Sequence, residues 1–213
     1  MVVDIREGEM LGLHLRFARL ALCGLPLLVG GCTTTPVDLA YASSAIAAAP
    51  VEQRALVSVG PFTDTRKHAP NWLGAIRGGF GNPLKTLETP VPVREVVRQA
   101  FVDALRARGL LNESGEGRFV LTANVVQFDT NRFVRREAHA KFAMSLIERA
   151  NSREVVVELT QVDTIEGSLV ALDTGIFGSV DELRADAEKT LRQAVDKFLD
   201  GTAFRQAIGA PQG

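Results

Sequence analysis

Val93-Arg94-Glu95-Val96-Val97-Arg98-Gln99-Ala100-Phe101-Val102-Asp103-Ala104-Leu105-Arg106 is the stretch whose reading decides the fold. At 3.6 residues per turn, Val93, Val96, Val97, Ala100, Phe101, Ala104 and Leu105 fall on one apolar face. Arg94, Glu95, Arg98, Asp103 and Arg106 fall on the other. Pro92 stands where a missing N–H costs nothing, and Gly109 supplies the stop. A helix apolar on one side only must lie on a sheet or on other helices.

Upstream, 55–62 reads as a strand, closed by Gly60-Pro61 and Thr63-Asp64. The segments 73–77 and 84–88 pair as a hairpin across Gly78-Gly79-Phe80-Gly81-Asn82-Pro83. Downstream, 119–129, 138–148 and 154–162 alternate apolar and polar residues and read as an antiparallel meander. On the sheet face away from the helices this reading places Val120, Val126, Phe128, Ile147, Val156 and Val162. A second helix opens at Ser179, with Glu182 completing a capping box. Its stripe is Leu183, Ala187, Leu191, Ala194, Val195, Phe198 and Leu199. Gly201 ends it, and Asp200 or Thr202 caps a short last turn carrying Phe204 and Ile208. The expected fold is a two-layer α+β domain: strand, hairpin loop, helix, three-strand meander, helix. Its sheet is mixed and mostly antiparallel, with both helices on one face.

Ahead of this domain stands Leu27-Leu28-Val29-Gly30-Gly31-Cys32. Arg16 and Arg19, an apolar run of about ten residues and a small-residue cut site form a secretory signal. The run falls short of the roughly twenty apolar residues a spanning helix needs. The stretch resembles the lipobox of bacterial lipoproteins. That resemblance implies cleavage after Gly31 and lipidation of Cys32 by S-diacylglycerol and an N-acyl (palmitate-type) chain. Thr33 after the cysteine then implies an outer-membrane anchor facing the periplasm of a Gram-negative cell. Asp4, Glu7 and Glu9 make an acidic leader, so Met10 is an alternative start. Residues 1–31 are thus a removed signal, 32–54 a lipidated N-terminus and flexible tether, 55–209 one globular domain, and 210–213 a disordered tail.

Net charge is −1, which gives no basic surplus for nucleic acid. The two cysteines are Cys23 in the signal and Cys32 at the lipid site, so the mature domain has no disulfide and no thiolate zinc site. No Gly-x-Ser-x-Gly and no His-Glu-x-x-His pattern occurs. The Gly78–Gly81 cluster lacks the following helix a phosphate loop needs. His68 near Asp64, Arg66 and Lys67, and His139 beside Lys141, are the histidines left after processing. Asp64 and Arg66 offer either a ligand contact or a mutual pair that stops the first strand. Arg132, Arg135 and Arg136 read as a solvated turn, with lipid head groups or peptidoglycan as the alternative. These readings give no catalytic residue, cofactor or metal.

Asp64-Thr65-Arg66, Leu73-Gly74 with Arg77, Arg108-Gly109-Leu110, and Asp200 ahead of Phe204 resemble the YajG-type envelope lipoproteins over about 55–208. More distantly, the chain is similar to auxiliary lipoproteins of ABC-type lipid transport systems, although Trp72 reads as part of a loop. The resemblance implies a non-catalytic interaction or scaffold component. Its partner would be an envelope protein or a second copy on the open sheet face. The alternative is an auxiliary subunit that binds or passes lipid, with an acyl chain as the one small ligand left open.

Overall fold

The computed structural model describes residues 33–42, 55–166 and 179–209. The signal, Cys32 and its lipidation, the later part of the tether and the tail 210–213 lie outside the described residues. In chain order the elements are β1 (Thr33–Pro36), β2 (Val57–Asp64), β3 (Trp72–Arg77), β4 (Pro83–Glu88), α1 (Val93–Ala107), β5 (Phe119–Arg132), β6 (Arg136–Glu148), β7 (Arg153–Glu166), α2 (Val180–Leu199) and α3 (Thr202–Ala207). The strands form one mixed sheet in the order β1-β4-β3-β5-β6-β7, and β2 also pairs with β5. The domain is two-layered α+β, as the helix pattern required. To that expectation the structure adds a seventh strand, β1, while the expected short last turn is the six-residue α3.

A strand has two edges, and β6 occupies one edge of β5. So β2 and β3 share the other edge end to end. β2 runs parallel to the first half, from Val57 opposite Phe119 to Asp64 opposite Val125. β3 runs parallel to the last part, from Gly74 opposite Thr130 to Ile76 opposite Arg132. Between them the edge of β5 would be unpaired. Arg66 fills that gap: its guanidinium donates to the carbonyls of Phe128 (3.0 Å), Trp72 (2.9 Å) and Pro70 (3.1 Å). The same group pairs with Asp64 at 2.8 Å, with side-chain exposure of only 3% for the arginine. Burial opposes ionisation of Asp64, but the hydrogen bonds from Arg66 outweigh it and hold the carboxyl below its ordinary range. Asp64 and Arg66 therefore pair with each other, as the sequence allowed, and together they join two strands. Gly74 is needed at the start of the second pairing, because a Cβ there would lie 1.6 Å from the Thr130 carbonyl oxygen.

At the same level β5 carries a bulge, with its register against β6 shifting between Val125 and Gln127. One extra residue swaps the faces of everything after it. Phe128 turns into the core, fully buried, and Gln127, Asp129 and Asn131 turn out to the open face. Strict alternation had placed Phe128 on the open face, and this is a correction. A second register shift in the β6–β7 pair accompanies Val156 into the core, and Val162 packs against that core as well.

The reading of 32–54 as a flexible tether is corrected at its start. β1 pairs in parallel with β4, Thr33 opposite Lys85 and Pro36 opposite Glu88. Val37 then continues the edge through its N–H to the Glu88 carbonyl and is buried. The Tyr41 hydroxyl donates to Asp196 Oδ1 at 2.6 Å. Arg108, after the end of α1, joins the same cluster through Asp196 and Asp200, both at 2.9 Å. Its burial opposes charge, but these partners raise its pKa further. Asp200 is thus engaged by Arg108, and Gly201 holds the N-cap position of α3. Trp72 opens β3 and is not in a loop. Arg132 and Arg136 are not solvated: Arg132 is buried, and both pair with Glu182 at 3.1 Å. Ser179 caps α2 as expected, whereas Glu182 is drawn away to these arginines.

The core lies between the sheet and α1 and α2. Val93, Val97, Ala100, Phe101, Ala104 and Leu105 of α1 are buried, and Val96 is partly so. Phe101 sits 5.6 Å from Phe62, 6.4 Å from Phe142 and 6.1 Å from Phe198, ring centre to ring centre. Phe101→Ala is expected to cost about 3–5 kcal/mol through the cavity it leaves. Arg66→Met is expected to cost a similar ~3–5 kcal/mol, because Asp64 is left buried without its partner. Arg98→Ala, which loses one hydrogen bond to the Gly60 carbonyl, should change stability by about 1 kcal/mol or less. Thermal melts of the three variants check the ranking.

Candidate functional site

With Gln127, Asp129 and Asn131 turned outward, β5 shares the open sheet face with β6 and β7. Cross-strand register places Asp129 opposite His139, and His139 opposite Asp163. His139 Nδ1 lies 2.7 Å from Asp163 Oδ1, and its Nε2 lies 3.6 Å from Glu137 Oε2. Gln127 and Asn131 donate to the two oxygens of Asp129 at 2.8 and 2.6 Å. Arg135 pairs with Glu137. Gln127, Asp129, Asn131, Glu137 and His139 line a groove of about 720 Å³, together with Arg77, Arg135 and the exposed Phe133 and Val134. Among the described residues, Asn131 Oδ1 is buried without a hydrogen-bond partner.

Partial burial pulls the His139 pKa down, but the hydrogen bond to Asp163 and the charges of Asp129, Asp163 and Glu137 outweigh it. The net shift is upward. Asp163 shifts down, through its hydrogen bonds from His139 and Gln161. The carboxylates around His139 therefore make its protonated form easier to hold than that of a free imidazole. Among the described residues, no serine, threonine or cysteine lines the groove. Among the described residues no group of three or more His, Cys, Asp or Glu side chains could hold a metal ion.

Of the sequence candidates, only His139 belongs to this groove together with Arg135. Asp64 and Arg66 are taken up by the strand junction. His68 stacks on Trp72, ring centres 3.8 Å apart and 20° between planes. Gly78–Asn82 is a turn, closed by the Gly78 N–H to the Asn82 carbonyl, with Gly81 at φ +80°. Asp129, Asn131, Glu137 and Asp163 were missed. Their one signal is polar residues at alternate positions of three strands, and only the register shows that they meet. A smaller cleft of about 400 Å³ lies at the opposite end of the meander. Its Arg118 and Glu148 neutralise each other at 2.8 Å.

No protein-family model matches the chain. No curated protein matches it either. Among solved structures it is similar to protein XCC0632 from Xanthomonas campestris, which bears the family designation DUF330. The TM-score is 0.57 at 13% identity, over 83% of this chain and 96% of that one. At that identity the likeness shows a shared fold. The PelC dodecamer from Paraburkholderia phytofirmans gives a TM-score of 0.40 at 15% identity, covering 72% and 92%. Lipoprotein GNA1162 from Neisseria meningitidis gives 0.28 at 10%, covering 66% and 97%. These two are too loose to carry an argument, and none of the three is described as YajG-type.

The shifts at His139 and Asp163 set a pH window for their pair. A raised histidine pKa contributes stability fully below about pH 6.5, lost as pH rises through the folded value. The lowered carboxyl contributes above about pH 4, lost as pH falls through its folded value. His139→Gln should therefore lower the melting temperature at about pH 5.5 and leave it nearly unchanged at about pH 9. Because Asp163 is 42% exposed, the difference is expected at about 0.5–1 kcal/mol. Paired melts of the two proteins at both pH values check it.

Proposed function

We propose that this chain is a lipid-anchored, periplasm-facing component of a Gram-negative envelope, held at the outer membrane through Cys32 and working by binding without catalysis. The observation that carries the binding part is β7. Among the described residues it is the last strand of the sheet, paired with β6 alone, with the Gln161 carbonyl accepting from Lys197 of α2, and its open face presents Val157 at 71% and Leu159 at 55% exposure. Exposed apolar side chains on a long unpaired edge are a template for another chain. The lipobox pattern at 27–32 supports the anchor, and among the described residues no helix is long and apolar enough to cross a membrane.

A second reading, an auxiliary subunit that binds or passes lipid, is favoured by the groove whose mouth carries the exposed Phe133 and Val134. One set of measurements separates the two. A photo-crosslinking residue at Leu159 should capture a defined partner in intact envelopes, while one at Glu113 should not. Acyl chains found bound to the purified domain by native mass spectrometry, with no adduct at Leu159, would favour the lipid-passing reading instead. Cys32→Ser should move the chain from the detergent phase to the aqueous phase. If the variant still partitions into detergent, lipidation at Cys32 is not the anchor.

A further inference from the structure

One transverse row of the sheet runs Thr33, Lys85, Ile76, Arg132, Arg136, Glu166 across β1, β4, β3, β5, β6 and β7. It marks the end of the sheet at which β1 begins. Cys32 is the residue that precedes Thr33 in the chain. Two tight tips also project beyond the row. The β3–β4 turn raises Phe80, which is completely exposed at 102%, and the β5–β6 turn raises Phe133 and Val134 at 45% and 50%. Phe80 is four residues beyond the row and Val134 two, so the tips reach at most about 13 Å and about 7 Å past it. Lipid attached at Cys32 and the apolar tips therefore project from the same end of the domain. The 77–85 segment carries Arg77 and Lys85 and no acidic residue. A basic-flanked aromatic tip suits the head-group layer, where the ring enters the acyl boundary and the long cations stay with phosphate.

We propose that this end of the sheet seats on the lipid surface itself, with Phe80, Phe133 and Val134 inserted at the head-group level. The proposal rests on the anchor reading above and deepens it. The β1–β4 pairing leaves no long tether between Cys32 and the sheet, so anchoring brings these tips to the bilayer. The long axis of β5 then stands away from the membrane. That leaves the open edge of β7 facing the periplasm along its length.

The test uses the full mature chain, lipidated and reconstituted into vesicles of phosphatidylethanolamine and phosphatidylglycerol. On the anchor reading Cys32 is acylated and Cys23 removed, so one introduced cysteine carries one fluorophore. Phe80→Cys reports the proposed contact. Glu113→Cys, exposed in the loop after α1 at the other end of the sheet, is the control. Flotation reads attachment, and quenching by lipids with nitroxides on their acyl chains reads depth. The expected result is that both labelled chains float, with quenching at position 80 several-fold stronger than at 113. Chains that float with equal quenching at both positions would overturn the seating and leave the anchor intact. Failure to float with Cys32 present would overturn the anchor reading, and the seating with it. The same label in the vesicle-free Cys32→Ser chain is expected to be open to water. If it is shielded there, a second copy covers the tips and the proposal is wrong.

Discussion

The guanidinium of Arg66 is the contact on which the sheet depends. Without a donor at that point, β5 could not take β2 on its first half and β3 on its second, because the carbonyl of Phe128 would face a gap. A backbone acceptor buried without a partner costs about 1–3 kcal/mol, and here the carbonyl of Trp72 would also lose the Arg66 donor. Arginine suits the role better than lysine. Its planar fork reaches several carbonyls and a carboxylate together, and it stays charged when buried. Asp64 keeps the pair near neutral overall, and its Oδ1 also accepts the Arg66 N–H, so the two residues form a closed turn. The bulge in β5 sits at the same level. The junction and the bulge together decide which polar residues reach the open face.

That dependence explains what was legible in the sequence. Elements fixed by local periodicity were readable: α1, α2, the β3–β4 hairpin and the β5–β6–β7 meander all follow from spacing and turn residues. Side chains whose place depends on register were not. Phe128, Val156 and Val162 have the chemistry of an exposed apolar face only if alternation runs unbroken, and register shifts in β5 and between β6 and β7 break it. For the same reason the groove was invisible apart from His139 and Arg135. Asp129, Asn131, Glu137 and Asp163 lie on three strands, and no spacing within one strand brings them together. The tether misled because Thr, Pro and Ala dominate it. A strand at a sheet edge gains its stability from the neighbour's hydrogen bonds, and composition carries no trace of them.

Positions on which the expected YajG-type resemblance rested are ones that hold the fold. Asp64 and Arg66 make the strand junction, Gly74 admits the Thr130 carbonyl, and Arg108 bridges α1 to Asp200. Gly109, at φ +71°, turns the chain out of α1. Residues of this kind specify an architecture and leave its surfaces free to vary. A likeness built on them, like the likeness to XCC0632, therefore says what the domain is shaped like. Its binding role has to be argued from the open face and from the edge of β7.

The N-terminal segment links the two levels of the argument. From Thr33 to Pro36 it lies along β4, Val37 is buried, and by Tyr41 it has reached α2, where its hydroxyl meets Asp196. Arg108 donates to the same aspartate and, at 3.4 Å, to the Tyr41 hydroxyl. Burial and the bond to Asp196 raise the tyrosine pKa, so it remains a neutral donor there. The segment is thus fastened at one edge of the sheet and again on the helix layer. A chain fastened twice within ten residues cannot swing as a free leash does. Whatever holds Cys32 holds the domain in an orientation, because the attachment enters through a strand of the sheet. If the proposed anchor at Cys32 and the proposed docking on β7 hold, a partner would meet a surface whose direction is already set, and less orientational freedom would remain to be lost on binding.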